Sequence, residues 1–278
     1  MRGIELTDQV AVVTGGARGI GRATAQALSK AGARVAIGDI DADEVESTAN
    51  DLGVYGGYLD VTNPQSVTHF YGAVEAQLGL VDIWVNNAGI MPVGPILEQD
   101  DAVIRRALDV NLLGVMNGSR VAARRMVERG HGRIVNIASV ASRVPAAGMA
   151  VYSATKFGVL GFGEALDAEL SPRGVRVSTV YPSFVATEMI EGLHSGPRLK
   201  PVPPQHIADA VVVVLRRGDR HAVVPSQLGF LTATWNHLPR PLARWLSTQI
   251  GMDQVFLNAD DARQNYDTRI NHPPNTRT

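Results

Sequence analysis

The sequence predicts an α/β fold: one open, seven-stranded parallel sheet, doubly wound by helices into three layers. Short β-branched runs alternate with helix-length amphipathic stretches along the chain, the pattern of a parallel sheet covered on both faces. With 278 residues, 45% of them hydrophobic, the chain suits one large domain better than two small ones. Local start and stop signals fall where this alternation requires them.

The first strand is expected at Val10–Thr14 and runs directly into the glycine-rich turn Thr14-Gly15-Gly16-Ala17-Arg18-Gly19-Ile20-Gly21. The helix that follows is closed by Gly32, and a second strand spans Arg34–Asp39. Asp41 with Glu44 forms a capping-box pattern for the next helix. Strands are expected at Tyr55–Asp60 and Asp82–Val85, with Asn63-Pro64 between them placing proline at a first helical position. Arg133–Ala138, Arg176–Val180 and His221–Val224 complete the sheet. Ser183 to Pro204 carries four prolines and two glycines, and reads as a mobile lid with a short helix inside.

Residues 1–225 therefore read as a single domain that includes the 183–204 lid, and 226–278 as a C-terminal extension. Leu228 to Ile250 mixes Phe230, Trp235, Leu242 and Trp245 with Arg240 and Arg244. Such a segment can be an amphipathic surface element, a subunit contact, a cover over the pocket or a peripheral membrane contact. The last twenty residues are polar and are expected to fray.

Composition narrows the partners. A net charge of −1 gives no field for nucleic acid. With no cysteine there is no disulfide, thiolate metal site or cysteine nucleophile, which fits a reducing, cytoplasmic setting. The longest aliphatic run, Ala210 to Leu215, is far too short to span a bilayer, and no signal peptide is expected. The seven histidines are scattered without ligand spacing, so no catalytic metal is expected.

In the glycine turn, Gly15 permits the tight bend, Gly19 lets backbone approach a pyrophosphate, and Gly21 lets helix and strand pack closely. The helix N-terminus then faces the anion. Asp39, eighteen residues after Gly21, occupies the place where a carboxylate accepts from an adenosine ribose. A 2′-phosphate there meets repulsion of roughly 1 to 4 kcal/mol at about 4 Å. Arg18 pulls the other way, since a guanidinium in the turn can receive that phosphate. On balance NAD is expected over NADP.

Tyr152 and Lys156 lie four positions apart, just over one helical turn, so phenol and ammonium share a face. Bringing a phenol from ~10 to neutrality requires about 3 pH units, or roughly 4 kcal/mol. An ammonium about 4 Å away, at an effective dielectric near 20, supplies on the order of 4 kcal/mol. Lys156 is thus expected to lower the Tyr152 pKa, while Ser139, thirteen residues upstream of Tyr152, holds a substrate oxygen.

Strand, glycine turn, acidic residue and Ser–Tyr–Lys trio in this order resemble the short-chain dehydrogenase/reductase family, one-domain type, over about Leu6 to Pro225. The resemblance implies a Rossmann-type sandwich and a nicotinamide-dependent oxidoreductase. It assigns Asp60 and Val61 to adenine contacts, and Asn87 and Gly89, within Asn86-Asn87-Ala88-Gly89, to the adenosine ribose side. It makes Asn111, Ser139, Tyr152 and Lys156 a catalytic tetrad, with Asn111 holding a water near the lysine and Lys156 also binding the nicotinamide ribose. Pro182, Val185 and Thr187 then border the nicotinamide. One departure is Ser183, where the family usually has glycine.

Two rival readings face this one. A serine hydrolase lacks its Gly-x-Ser-x-Gly elbow, because Ser139 is flanked at those positions by Ile137 and Ala141. A non-catalytic NAD(H) sensor or interaction protein on the same fold has no need of the tetrad. The residues expected near the nicotinamide are Met91, Pro92, Val140, Pro145, Met149, Phe184, Met189 and Leu193, an apolar set that points to a hydrophobic secondary alcohol or ketone. Arg143 keeps open a clamp for an acidic substrate. By family analogy, helices near Leu112–Met126 and Tyr152–Leu170 pair subunits into a homodimer or homotetramer.

Overall fold

In the computed structural model, residues 3–193, 200–250, 255–257 and 259–271 are described. Seven parallel strands pair in the order β3-β2-β1-β4-β5-β6-β7. They are β1 (Val10–Thr14), β2 (Arg34–Asp39), β3 (Tyr55–Tyr58), β4 (Val81–Asn86), β5 (Gly132–Ile137), β6 (Val175–Pro182) and β7 (His221–Val224). β1 shows why the runs are continuously apolar. Val10 and Val12 enter one core with Val67, Phe70 and Met126, while Ala11 and Val13 enter the other with Leu28, Ile207 and Val211. Strands buried on both faces have no polar side to alternate with.

The helices on the second face are α1 (Gly19–Lys30), α2 (Ala42–Leu52) and α7 (Pro204–Arg217). Those on the first are α3 (Pro64–Leu78), α5 (Gly114–Arg129) and α6 (Ala150–Leu170). α4 (Asp101–Leu108) leads through a π turn, Asp109–Leu113, into α5. The start signals work as the sequence implies: the Asp41 side chain accepts from Glu44 N, and the Asn63 side chain accepts from Gln65 N and Ser66 N ahead of Pro64. β3 is shorter than expected because Asp60 Oδ1 accepts from both N and Oγ of Thr62 at 2.9 and 2.8 Å, turning the chain out of the sheet.

After β7 come α8 (Gly229–Thr234), α9 (Arg240–Ile250) and α10 (Gln264–Asn271). The expectation of a frayed tail is corrected here over 259–271. Tyr266 and Ile270 of α10 are buried, and Arg263 is 1% exposed. The remainder of that expectation, 272–278, lies outside the described residues, as do 194–199 of the lid. Among the described residues no helix is long and apolar enough to cross a membrane.

Candidate active site

The sheet order reverses between β1 and β4, and ligands of such sheets bind outside the strand carboxyl ends at that switch. A cleft of about 1420 Å³ opens there. At its floor β1 delivers the glycine turn. A Cβ on Gly21 would lie 2.0 Å from Gly15 O, so only glycine lets α1 sit this close. Gly19, at φ +53°, has only the methyl of Thr187 near the position of its missing Cβ, at 3.2 Å. Arg18, the N-cap of α1, makes no side-chain cap and the first turn holds no acidic residue, leaving the amides around Gly19 and Ile20 for an anion.

Asp39 ends β2 with Oδ2 accepting from Ala17 N at 3.1 Å and Oδ1 from Asp41 N at 3.3 Å. Burial pushes its pKa up against those two bonds and the Arg18 charge. Arg18 is already engaged with acidic side chains: its guanidinium holds Asp41 at 2.6 Å and lies 3.8 Å from Glu188.

Thr14 Oγ1 accepts from Asn87 N and Ala88 N, and Asn87 Nδ2 donates to Thr14 O and Gly15 O, tying the β4 loop to the glycine turn. Asn86 stiffens the neighbouring strands by donating to Ser119 Oγ and Asn136 Oδ1. Beyond them, a Cβ at Gly89 would lie 3.2 Å from Asn111 Oδ1 and 3.6 Å from Lys156 Nζ, so glycine brings this loop against the catalytic candidates. Asn111, fully buried in the π turn, is fixed by both polar atoms: Oδ1 accepts from Ile90 N and Nδ2 donates to Ile90 O, each at 2.8 Å. Val61, 8% exposed, packs on the bare backbone of Gly114, and its carbonyl accepts from Asn117 Nδ2.

Ser139 follows β5 and Tyr152 and Lys156 open α6; they are 7%, 5% and 4% exposed. The Ser139 hydroxyl bonds the Tyr152 phenol and also accepts from Ala141 N at 3.1 Å. Lys156 Nζ sits 5.6 Å from the Tyr152 ring centre and donates to Ile137 O at 3.0 Å. The expected direction of the tyrosine shift is corrected by this burial. Desolvation drives the Tyr152 pKa well above the usual phenol range despite the Ser139 bond, and brings Lys156 down to about 8. The Coulomb attraction between ammonium and phenolate leaves out the cost of desolvating each, and two buried groups shift toward their neutral forms instead.

Pro182, Val185 and Thr187 line the cleft with Ser183, whose N–H is held by Val224 O at 2.9 Å. Of the apolar residues expected around the substrate, Met91, Val140, Met149, Phe184 and Met189 line the cleft, whereas Pro92, Pro145 and Leu193 fall outside its lining. Arg143 is turned away, with its guanidinium 4.2 Å over the Tyr181 ring. The cover anticipated from 228–250 comes from farther along. Phe256 stacks on Phe184 at 5.5 Å, and Tyr266, Arg269 and Ile270 of α10 also face the cleft. These residues escaped the sequence reading, although Tyr266 and Ile270 stand at i, i+4.

A family model described as short chain dehydrogenase matches residues 9–197. The chain belongs to the short-chain dehydrogenase family. It is similar to the Vibrio cholerae 3-oxoacyl-[acyl-carrier-protein] reductase FabG, at 36% identity over 220 residues, covering 75% of this chain and 90% of that one. It is 40% identical over 198 residues to the D-threitol dehydrogenase of Mycolicibacterium smegmatis, covering 69% of this chain and 76% of the relative. A third relative is the Probable oxidoreductase EphD of Mycobacterium tuberculosis, 36% identical over 235 residues; the match covers 76% of this chain and 40% of that longer protein. In fold, this short-chain dehydrogenase superposes on one from Burkholderia phymatum solved in complex with NAD, at a TM-score of 0.76 and 24% identity, over 84% of this chain and 95% of that one.

Proposed function

We propose that this oxidoreductase uses NAD to interconvert a hydrophobic secondary alcohol and its ketone, with Tyr152 as general acid/base. One observation carries the reading: the glycine turn, Asp39 and the Ser139–Tyr152–Lys156 trio open into a single cleft whose far wall is apolar. The uncapped N-terminus of α1 fits a pyrophosphate, with Gly15, Arg18, Gly19, Ile20 and Gly21 around it. In this reading Asp39 takes the adenosine ribose, Asp60 and Val61 the adenine, Asn87 and Gly89 run along the dinucleotide, and Pro182, Val185 and Thr187 border the nicotinamide; all of them line the cleft. Bound there, the cofactor supplies or accepts the hydride.

The chain's own groups handle the proton and the oxygen. Ser139 holds the substrate oxygen beside Tyr152, whose phenol donates its proton to the forming alkoxide in reduction and whose phenolate takes the hydroxyl proton in oxidation. Burial keeps Tyr152 protonated near neutrality, the form reduction needs. Lys156, titrating at about 8, is still mainly charged at pH 7 and stabilises the phenolate left behind. Asn111, beside Lys156, is the residue assigned to hold the water of a proton path.

Two carboxylates support NAD over NADP: Asp39 faces the ribose position, and Asp41 already occupies Arg18. The apolar wall, with Arg143 committed to Tyr181 and the cleft-facing Arg269 paired with Glu188, favours a lipophilic substrate without an anionic group. Residues 1–225 then form the dinucleotide-binding and catalytic domain, and 226–278 an extension whose Phe256, Tyr266 and Ile270 cover the substrate end. The test is reduced-cofactor production across a panel of lipophilic secondary alcohols, with NAD and NADP in parallel. We expect at least a tenfold higher kcat/KM with NAD, and comparable values would refute the cofactor choice. Turnover confined to polar polyols would refute the substrate class.

A further inference from the structure

α10 is fixed to the site by contacts its polar composition conceals. Arg263, 1% exposed, donates to the carbonyls of Met189 and Glu191 in the lid and of Met91 in the β4 loop. Its guanidinium lies 4.8 Å from the Tyr266 ring centre, and that of Arg269 lies 5.7 Å from it. The ring between them is 5% exposed and borders the cleft that also contains Tyr152. The Tyr266 hydroxyl oxygen accepts from Met91 N at 2.9 Å. Among the described residues its own proton meets no acceptor. A phenol is both donor and acceptor, so an unused O–H remains at this end of the cleft. Met91 links the two phenols, packing in the same apolar cluster as Tyr152.

We infer that Tyr266 is a substrate-positioning residue whose O–H donates to a second oxygen on the substrate, away from the reacting carbon. The substrate class is thereby narrowed to a lipophilic ketone or alcohol carrying an additional hydrogen-bond acceptor, an ether or a carbonyl. This inference rests on the alcohol/ketone reading above. Met91 N holds the hydroxyl oxygen in place and narrows the directions open to its O–H before substrate arrives. A substrate lacking the second oxygen leaves this donor buried and unpaired.

Decan-2-one and its oxa analogues, in which an ether oxygen replaces the methylene at position 5, 6, 7 or 8, test this with NADH as reductant. An ether only accepts, so it reports on a donated proton. Tyr266→Phe keeps the ring between the two guanidinium groups and removes only the hydroxyl. At one ether position, the ratio of kcat/KM for the oxa analogue to that for decan-2-one is expected to fall about 3- to 10-fold in Tyr266→Phe, chiefly through KM. A purely structural hydroxyl would lower all five substrates alike and leave every ratio unchanged, which overturns the inference while leaving the ketone reductase reading intact. Absence of turnover with all five in the unmutated protein overturns both.

Discussion

Lys156 concentrates the conflict between stability and function in one side chain. Its folded pKa of about 8 lies below the unfolded value of 10.5, so between those limits the unfolded chain binds more protons and stability rises with pH. Below pH 8 the full cost of burying the charge is present, on the order of 3 kcal/mol. Replacing it by methionine leaves the Ile137 carbonyl without its donor, which offsets part of that relief. Lys156→Met is therefore expected to stabilise the cofactor-free protein by about 1–2 kcal/mol at pH 7, and by progressively less toward pH 10. Urea unfolding at both pH values checks this; a loss of stability at pH 7 contradicts it. The side-by-side placement of Tyr152 and Lys156 was legible in their spacing. The burial of Tyr152 was not, because its apolar cluster is completed by Val255 and Phe256, about a hundred residues downstream.

At the scale of elements, α6 must hold Tyr152 and Lys156 in register with β5 and β6, and Asp167 near its C-terminus anchors it. The carboxylate, 4% exposed, accepts from Arg176 Nε and Nη2, from Val177 N and from Arg220, all at 2.9 to 3.0 Å. Burial raises its pKa, but the Arg176 and Val177 bonds and the Arg176 and Arg220 charges outweigh it, and the net direction is down. A depressed carboxylate stabilises the fold above its unfolded pKa and loses that contribution as pH falls through the folded one. Asp167→Asn is expected to cost roughly 2–3 kcal/mol at pH 7, with the deficit narrowing below pH 4, as read from urea midpoints. An equal deficit at both pH values contradicts the ionic anchor. Elements such as β1, β2 and β7 were legible to the residue because β-branched runs abut glycine, proline and capping signals. α10 was not: its eight residues are mostly polar, and what orders them is Arg263 reaching the carbonyls of Met91, Met189 and Glu191. Such backbone acceptors leave no mark in the sequence.

For the whole molecule, several large apolar side chains among the described residues remain in water, and two groups of them bear on assembly. Leu108 and Leu113 are 41% and 47% exposed around the π turn leading into α5, and Phe230, Leu242 and Trp245 are 82%, 42% and 57% exposed on α8 and α9. We propose that α5 and α6 pair subunits into a homodimer or homotetramer, in which Leu113→Glu shifts the mass by light scattering toward the monomer. A monomeric unmutated protein at micromolar concentration contradicts the proposal. The central claim concerns the single cleft, where the dinucleotide and the phenol must meet for hydride and proton to reach one substrate. Tyr152→Phe keeps the ring and removes the transferable proton, so turnover and cofactor affinity separate cleanly. Measured on one preparation, its kcat is expected to fall at least a hundredfold while the Kd for NADH stays within about threefold. Retained turnover would show that the proton travels by another route and would overturn the assignment.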